Sequence, residues 1–165
     1  MNDEALTTYL NDHLAGSEAG RALAERCAAS NPATPLASFL QSLVTKIEDE
    51  QALVKDLVAR SGGEVNALKA AVGWLGEKAS RIKLDNPLQS YTALDRLEQV
   101  EGLLLGVRGK KALWDAVGAT LRTDRRFAEI DFDELGRNAE EQLNELEQYR
   151  LAAAHEAFGV DTSST

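Results

Sequence analysis

Aliphatic residues recur along this chain at alternating steps of four and three, the spacing that gathers side chains on one face of an α-helix. The clearest run is Leu36, Leu40, Leu43, Ile47, Glu50, Val54 and Leu57. Six of its seven positions are aliphatic, and Glu50 alone breaks the stripe. A carboxylate on a buried stripe needs a partner or a proton, so the pattern that predicts the helix also marks its most informative residue.

The same reading predicts five helices. The first covers residues 3–29, with Leu6, Leu10, His13, Ser17, Gly20, Ala24 and Cys27 facing inward. Thr34 and Pro35 are a good N-cap and first helical residue for the second, which runs to residue 60 and stops at Ser61-Gly62-Gly63. The third, 64–83, carries Val65, Leu68, Val72, Leu75, Ala79 and Ile82 and is weakened by Gly73 and Gly76. The fourth, 88–121, offers Leu94, Leu97, Leu104, Val107, Trp114, Val117 and Leu121 to a core. Asp131-x-x-Glu134 caps the fifth, which continues through Leu135, Ala139, Gln142, Leu146, Tyr149 and Ala153 to Phe158, with Gly159 closing it. Residues 1–159 make one helical-bundle domain, and 160–165 are expected to be a flexible tail.

Four of these helices have similar lengths, about 40–50 Å at 1.5 Å per residue, and short turns make neighbours in sequence antiparallel. The shorter third helix then carries the chain back along the outside, between the second and third bundle helices. That connectivity is an all-α four-helix bundle with a crossover. Composition agrees: aromatics are 5% and Pro only 3 residues, so Ala and Leu supply most of the apolar surface and favour helices over sheets.

The run Tyr9-Leu-Asn-Asp-His-Leu-Ala-Gly16, together with Gly73-Trp-Leu-Gly-Glu-Lys78, resembles small uncharacterised bacterial proteins assigned to the ferritin-like fold. The resemblance implies a divergent ferritin-like bundle. Two-metal proteins of that type use a Glu from each of two helices and a Glu-x-x-His from each of the others. Here Leu10 and Ala152 stand three residues before His13 and His155, so neither histidine completes that motif. No ligand is carried over.

Rough helix heights place His13 about 15 Å and Glu50 about 16 Å from one end of the bundle. Lys110 and Lys111 on the fourth helix, and Glu141 and Gln142 on the fifth, fall at the same level, with Arg108 a turn away. The expectation is a hydrogen-bonded polar layer in which His13 and Glu50 set helix register, and in which a base beside Glu50 would compete with any metal. The pairs Gly16/Gly20 and Gly102/Gly106 also share a level, predicting a close backbone approach of the first and fourth helices there. Glu98, Glu101 and His155 are expected at the surface. Trp74 and Trp114 are expected in core or crossover packing, with a dimer contact at Trp74 as the alternative.

The net charge of −9 disfavours nucleic acid and anionic membranes as partners. A single cysteine rules out an internal disulfide and reads as a buried hydrophobe. The start of the chain lacks signal-peptide character and no apolar run approaches a membrane span, so a cytoplasmic location is expected. No phosphate loop and no nucleophile with a placed base occurs. The pattern favours a non-catalytic interaction or self-associating module without cofactor, acting on a protein partner. The alternative is a degenerate ferritin-like metal-binding protein or oxidoreductase, with His13, Glu50 and Glu141 as candidate ligands for Fe, Mn or Zn. A third reading is a binder of a small apolar ligand in a crevice beside the glycine pairs.

Overall fold

The computed structural model describes residues 2–66 and 90–159. Among them the chain forms four α-helices and no strand: α1 (Asp3–Ser30), α2 (Pro35–Arg60), α3 (Ala93–Leu121) and α4 (Phe132–Phe158). One turn of 3₁₀ helix, Arg125–Phe127, lies between α3 and α4. None of the described helices is long and apolar enough to cross a membrane.

Local chemistry sets most of the helix ends. Asn2 Oδ1 accepts the Ala5 amide at 3.1 Å, Thr34 Oγ1 accepts the Ala37 amide at 3.1 Å, and Asp131 Oδ1 accepts the Glu134 amide at 2.8 Å. Each pairs an N–H that a helix start leaves unsatisfied. Beyond α2, Gly62 adopts φ 74°, a left-handed conformation that glycine takes without a Cβ penalty.

Two predicted boundaries are corrected. Residues 90–92 are not helical, and α3 begins at Ala93 rather than 88. There Thr92 and Asp95 form a reciprocal capping box: the Asp95 amide donates to Thr92 Oγ1 at 3.2 Å, and the Thr92 amide donates to Asp95 Oδ2 at 2.8 Å. A strong cap overrides an apolar pattern that runs on through it. Glu64, Val65 and Asn66, the expected start of the third predicted helix, are also non-helical. Asn11 on α1 holds them instead, accepting the Asn66 amide at 2.7 Å and donating to the Glu64 carbonyl at 3.0 Å. The rest of that predicted crossover, with Gly73, Trp74 and Gly76, and the predicted tail at 160–165 lie outside the described residues.

The core has two halves. One joins Leu10 and Leu14 of α1, Val54, Leu57 and Val58 of α2, Trp114, Val117 and Leu121 of α3, and Phe127 and Phe132 beyond. The other joins Leu23 and Cys27 of α1, Leu36, Leu40 and Leu43 of α2, Val100 and Leu103 of α3, and Leu143 and Leu146 of α4. The first half therefore gathers the start of α1, the end of α2, the end of α3 and the start of α4. Hence α1 and α4 run one way and α2 and α3 the other. The most extensive helix pairings are α1 with α2, α1 with α3, and α3 with α4. Leu40, Leu57 and Leu146 are fully buried, each stabilising the fold by about 1.5–3 kcal/mol relative to exposure.

The α2 stripe is buried as the periodicity predicts, apart from Glu50, which keeps slight exposure. On α1 the inward face differs from expectation: Asn11, Leu14, Ala15 and Leu23 are buried, while His13, Ser17 and Gly20 are only partly covered. α1 packs against both α2 and α3, and near its start Asn11 turns inward to hold Glu64 and Asn66, the chain just beyond α2. Leu94, expected in the core, is 46% exposed, and Phe158, where the fifth predicted helix ends, is 68% exposed. Both lie at the open end of their helix, past the last layer of the core.

Candidate functional site

The polar layer forms where α2, α3 and α4 meet. Lys110 Nζ on α3 lies 3.1 Å from Glu50 Oε1 and 3.0 Å from Glu50 Oε2 on α2. The same ammonium donates to Gln142 Oε1 on α4 at 2.5 Å. Only 14% of the Lys110 side chain and 13% of the Glu50 side chain are exposed, and Gln142 is 3% exposed. The next residue of α2 connects the layer to α1, because Gln51 Nε2 donates to Ser17 Oγ at 2.9 Å.

Burial governs the charges here. It pushes the Glu50 carboxyl up, and Lys110, Trp114 and Lys46 pull it back only in part. It pushes the Lys110 ammonium down; Glu50 partly restores it and Lys46 adds to the lowering. Both shifts favour the neutral forms, because stripping water from two ions outweighs their attraction. Trp114, one turn along α3 from Lys110, is 1% exposed. Its indole Nε1 lies near enough to Glu50 to favour the ionised form, yet makes no hydrogen bond of normal geometry. Gln142 Nε2 is likewise buried without a hydrogen-bond partner.

The structure brings Glu50 together with Lys110 and Gln142, two of the residues expected at its level. It leaves out His13, the expected partner. His13 packs edge-on against Tyr9, with ring centroids 4.6 Å apart, and burial lowers its pKa while Asp12 pulls the other way. The reason is rotational: Leu14 rather than His13 faces inward at that turn of α1. Glu141 is exposed beside the buried Gln142. Lys111 pairs with Asp115 at 2.8 Å, and Arg108 is exposed. Among the described residues, no three His, Cys, Asp or Glu side chains converge in a group that could hold a metal ion.

The glycine pairs behave differently from expectation. A Cβ on Gly102 would come within 2.9 Å of Leu23 Cδ2, but Gly16, Gly20 and Gly106 have no neighbouring atom within 4 Å of that position. Close packing is confined to Gly102, and a side chain rather than backbone faces it. Glu98 and Glu101 are exposed, Glu101 lying 3.7 Å from Arg150, and His155 is exposed near the end of α4.

A second polar cluster, invisible to the periodicity, lies at the far end. Asn31 Nδ2 donates to the Cys27 carbonyl at 2.7 Å and to the Tyr91 hydroxyl at 3.0 Å, while Arg96 Nε donates to Asn31 Oδ1 at 2.8 Å. The Tyr91 hydroxyl donates to Gln99 Oε1 at 3.1 Å. Burial pushes Tyr91 up to about 12 and raises the Cys27 thiol. A residue just past α1 and another just before the α3 cap create this cluster, so no single helical stripe could reveal it.

At the opposite end, Arg126 binds Asp3 at 3.0 Å and Asp124 at 2.8 Å. Arg60 binds Asp56 at 2.7 Å, Glu129, and the Arg126 carbonyl at 2.8 Å. Surface depressions lie over the α3–α4 turn, beside Arg122, Ile130 and Asp133, and over the first turns of α1, beside Thr8, Tyr9 and Asp12. Neither adjoins the Glu50 layer. Comparison with protein-family models, curated proteins and solved structures finds no match.

Proposed function

We propose that this chain is a non-catalytic helical module that acts by protein contact, in its simplest form with a second copy of itself. Its fold in this reading is a ferritin-like four-helix bundle, with the 64–83 segment as the crossover from α2 to α3. The parallel course of α2 and α3 supports that connectivity, since a chain leaving one end of the bundle must return to the other. The observation that carries the functional reading is the set of large apolar side chains exposed on the α3–α4 hairpin. Leu94 and Leu105 on α3 are 46% and 63% exposed, and Leu151 and Phe158 on α4 are 47% and 68% exposed. Each pair is spaced by near-whole helical turns and so shares one face of its helix. A contiguous exposed apolar patch marks a contact surface, and these four side chains are the candidates for one on this hairpin. The interior carboxylate, by contrast, is already engaged by Lys110, which competes with a metal for Glu50.

Sedimentation of the full chain over a range of concentrations tests this reading. Association that Leu105→Glu and Phe158→Glu together abolish is the expected result. A chain that stays monomeric at every concentration overturns self-association.

A further inference from the structure

We propose that Lys110 and Gln142 are the two halves of a spontaneous amide cross-link, with Glu50 as the general acid–base that makes it. The argument starts from geometry. Lys110 Nζ donates to the Gln142 carboxamide oxygen at 2.5 Å, which brings the amine to the carboxamide whose carbon it would attack. The Glu50 carboxyl lies 3.0 Å from the same nitrogen, within reach of direct proton transfer. Each of the three residues comes from a different helix, and the bundle holds them together away from water.

The protonation states suit the reaction. Nucleophilic attack needs a neutral amine, and a buried, desolvated lysine is the usual way to obtain one. Burial favours the uncharged form of Lys110 and of Glu50 alike. One proton moving from Lys110 to Glu50 thus produces both the nucleophile and the acid. The group that would leave is independently marked. Gln142 Nε2 is buried without a hydrogen-bond partner, so expelling it sacrifices no hydrogen bond.

The step balances without any co-reactant. The Lys110 Nζ lone pair forms a bond to Gln142 Cδ while Glu50 protonates the carboxamide. The Glu50 carboxylate then takes a proton from the attacking nitrogen, the Cδ–Nε2 bond breaks, and Nε2 leaves as ammonia with the proton that Glu50 had given the carboxamide. Glu50 ends as it began, and α3 is tied to α4 by an amide. Fixed proximity can supply effective concentrations of about 10⁵–10⁸ M, which is what an otherwise slow aminolysis of an amide requires.

Intact-mass spectrometry of the purified, folded full chain during incubation tests the proposal. The wild type is expected to become lighter by one ammonia, and a digest to yield a peptide joining Lys110 to Gln142. Lys110→Arg and Glu50→Gln, checked for helicity by circular dichroism, are expected to keep the sequence mass. A wild-type mass that stays at the sequence value, or that rises through simple deamidation of Gln142, overturns it. So does ammonia loss that persists in Lys110→Arg, because it then arises elsewhere.

Discussion

The Glu50–Lys110 pair inside the bundle and the Arg126 clasp at its end are made of the same functional groups and respond to folding in opposite ways. At the clasp, hydrogen bonds from Arg126 hold the Asp3 and Asp124 carboxyls below their ordinary range, and Arg60 does the same for Glu129. Water remains at hand there, so pairing is the larger effect. In the interior, desolvation comes first, and Glu50 and Lys110 move toward neutrality despite lying 3.0 Å apart. Proximity of opposite charges therefore does not by itself predict whether a pair stabilises this fold. Burial decides the sign.

The largest expected effect comes from breaking the interior pair on one side. In the unlinked chain, Glu50→Ala or Lys110→Met should cost about 3–5 kcal/mol in urea unfolding, since each strands a buried polar partner. The double variant Glu50→Leu/Lys110→Met should recover most of that loss, and a well-packed version should equal or exceed the wild type. A double variant as unstable as the sum of the singles would show the layer to be a net stabiliser, and the contrast with the clasp would fail.

Breaking the clasp should matter less. Arg126→Gln is expected to lower the melting temperature by less than either interior single variant. Its effect should also shrink as salt is added, because exposed ion pairs are screened. An effect independent of salt would mean that Arg126 acts through packing against Phe127, whose ring centroid lies 5.2 Å from the guanidinium.

The smallest and most discriminating effect is on pH dependence. Asp3, Asp124 and Glu129 have folded pKa values below their ordinary 3.8, 3.8 and 4.5. Their stabilisation is present above those ordinary values and is lost as pH falls through the folded ones. Glu50 is raised above 4.5, so the folded chain binds its proton more tightly than the unfolded chain does. Its contribution favours folding in acid and falls as pH rises from 4.5 through the folded value. Urea midpoints measured from neutral pH down to acid should thus fall more steeply in Glu50→Gln than in wild type. Identical profiles would place Glu50 in water rather than in the layer.

Much of the bundle was legible in the sequence because helical periodicity and end signals are local. The α2 stripe, the Thr34-Pro35 start, the Gly62 stop and the Asp131 cap all follow from residues within a few positions of one another. The late start of α3 was also written locally, in Thr92 and Asp95, but an apolar pattern running through it hid the cap. The site was half legible. Glu50 stood out as a carboxylate in an apolar seam, and helix heights placed Lys110 and Gln142 beside it, but they also placed His13 there.

The sequence by itself determined where helices form and that Glu50 needs a partner. Only the tertiary structure decided which partner. Height along a bundle depends on residue number, which the sequence supplies. Rotation about each helix depends on which neighbours cover it, and on α1 it is Leu14 rather than His13 that turns inward. His13 therefore stands against Tyr9 while Lys110 reaches Glu50. The direction of the pKa shifts belongs to the same category, because desolvation exists only once the surrounding helices have excluded water.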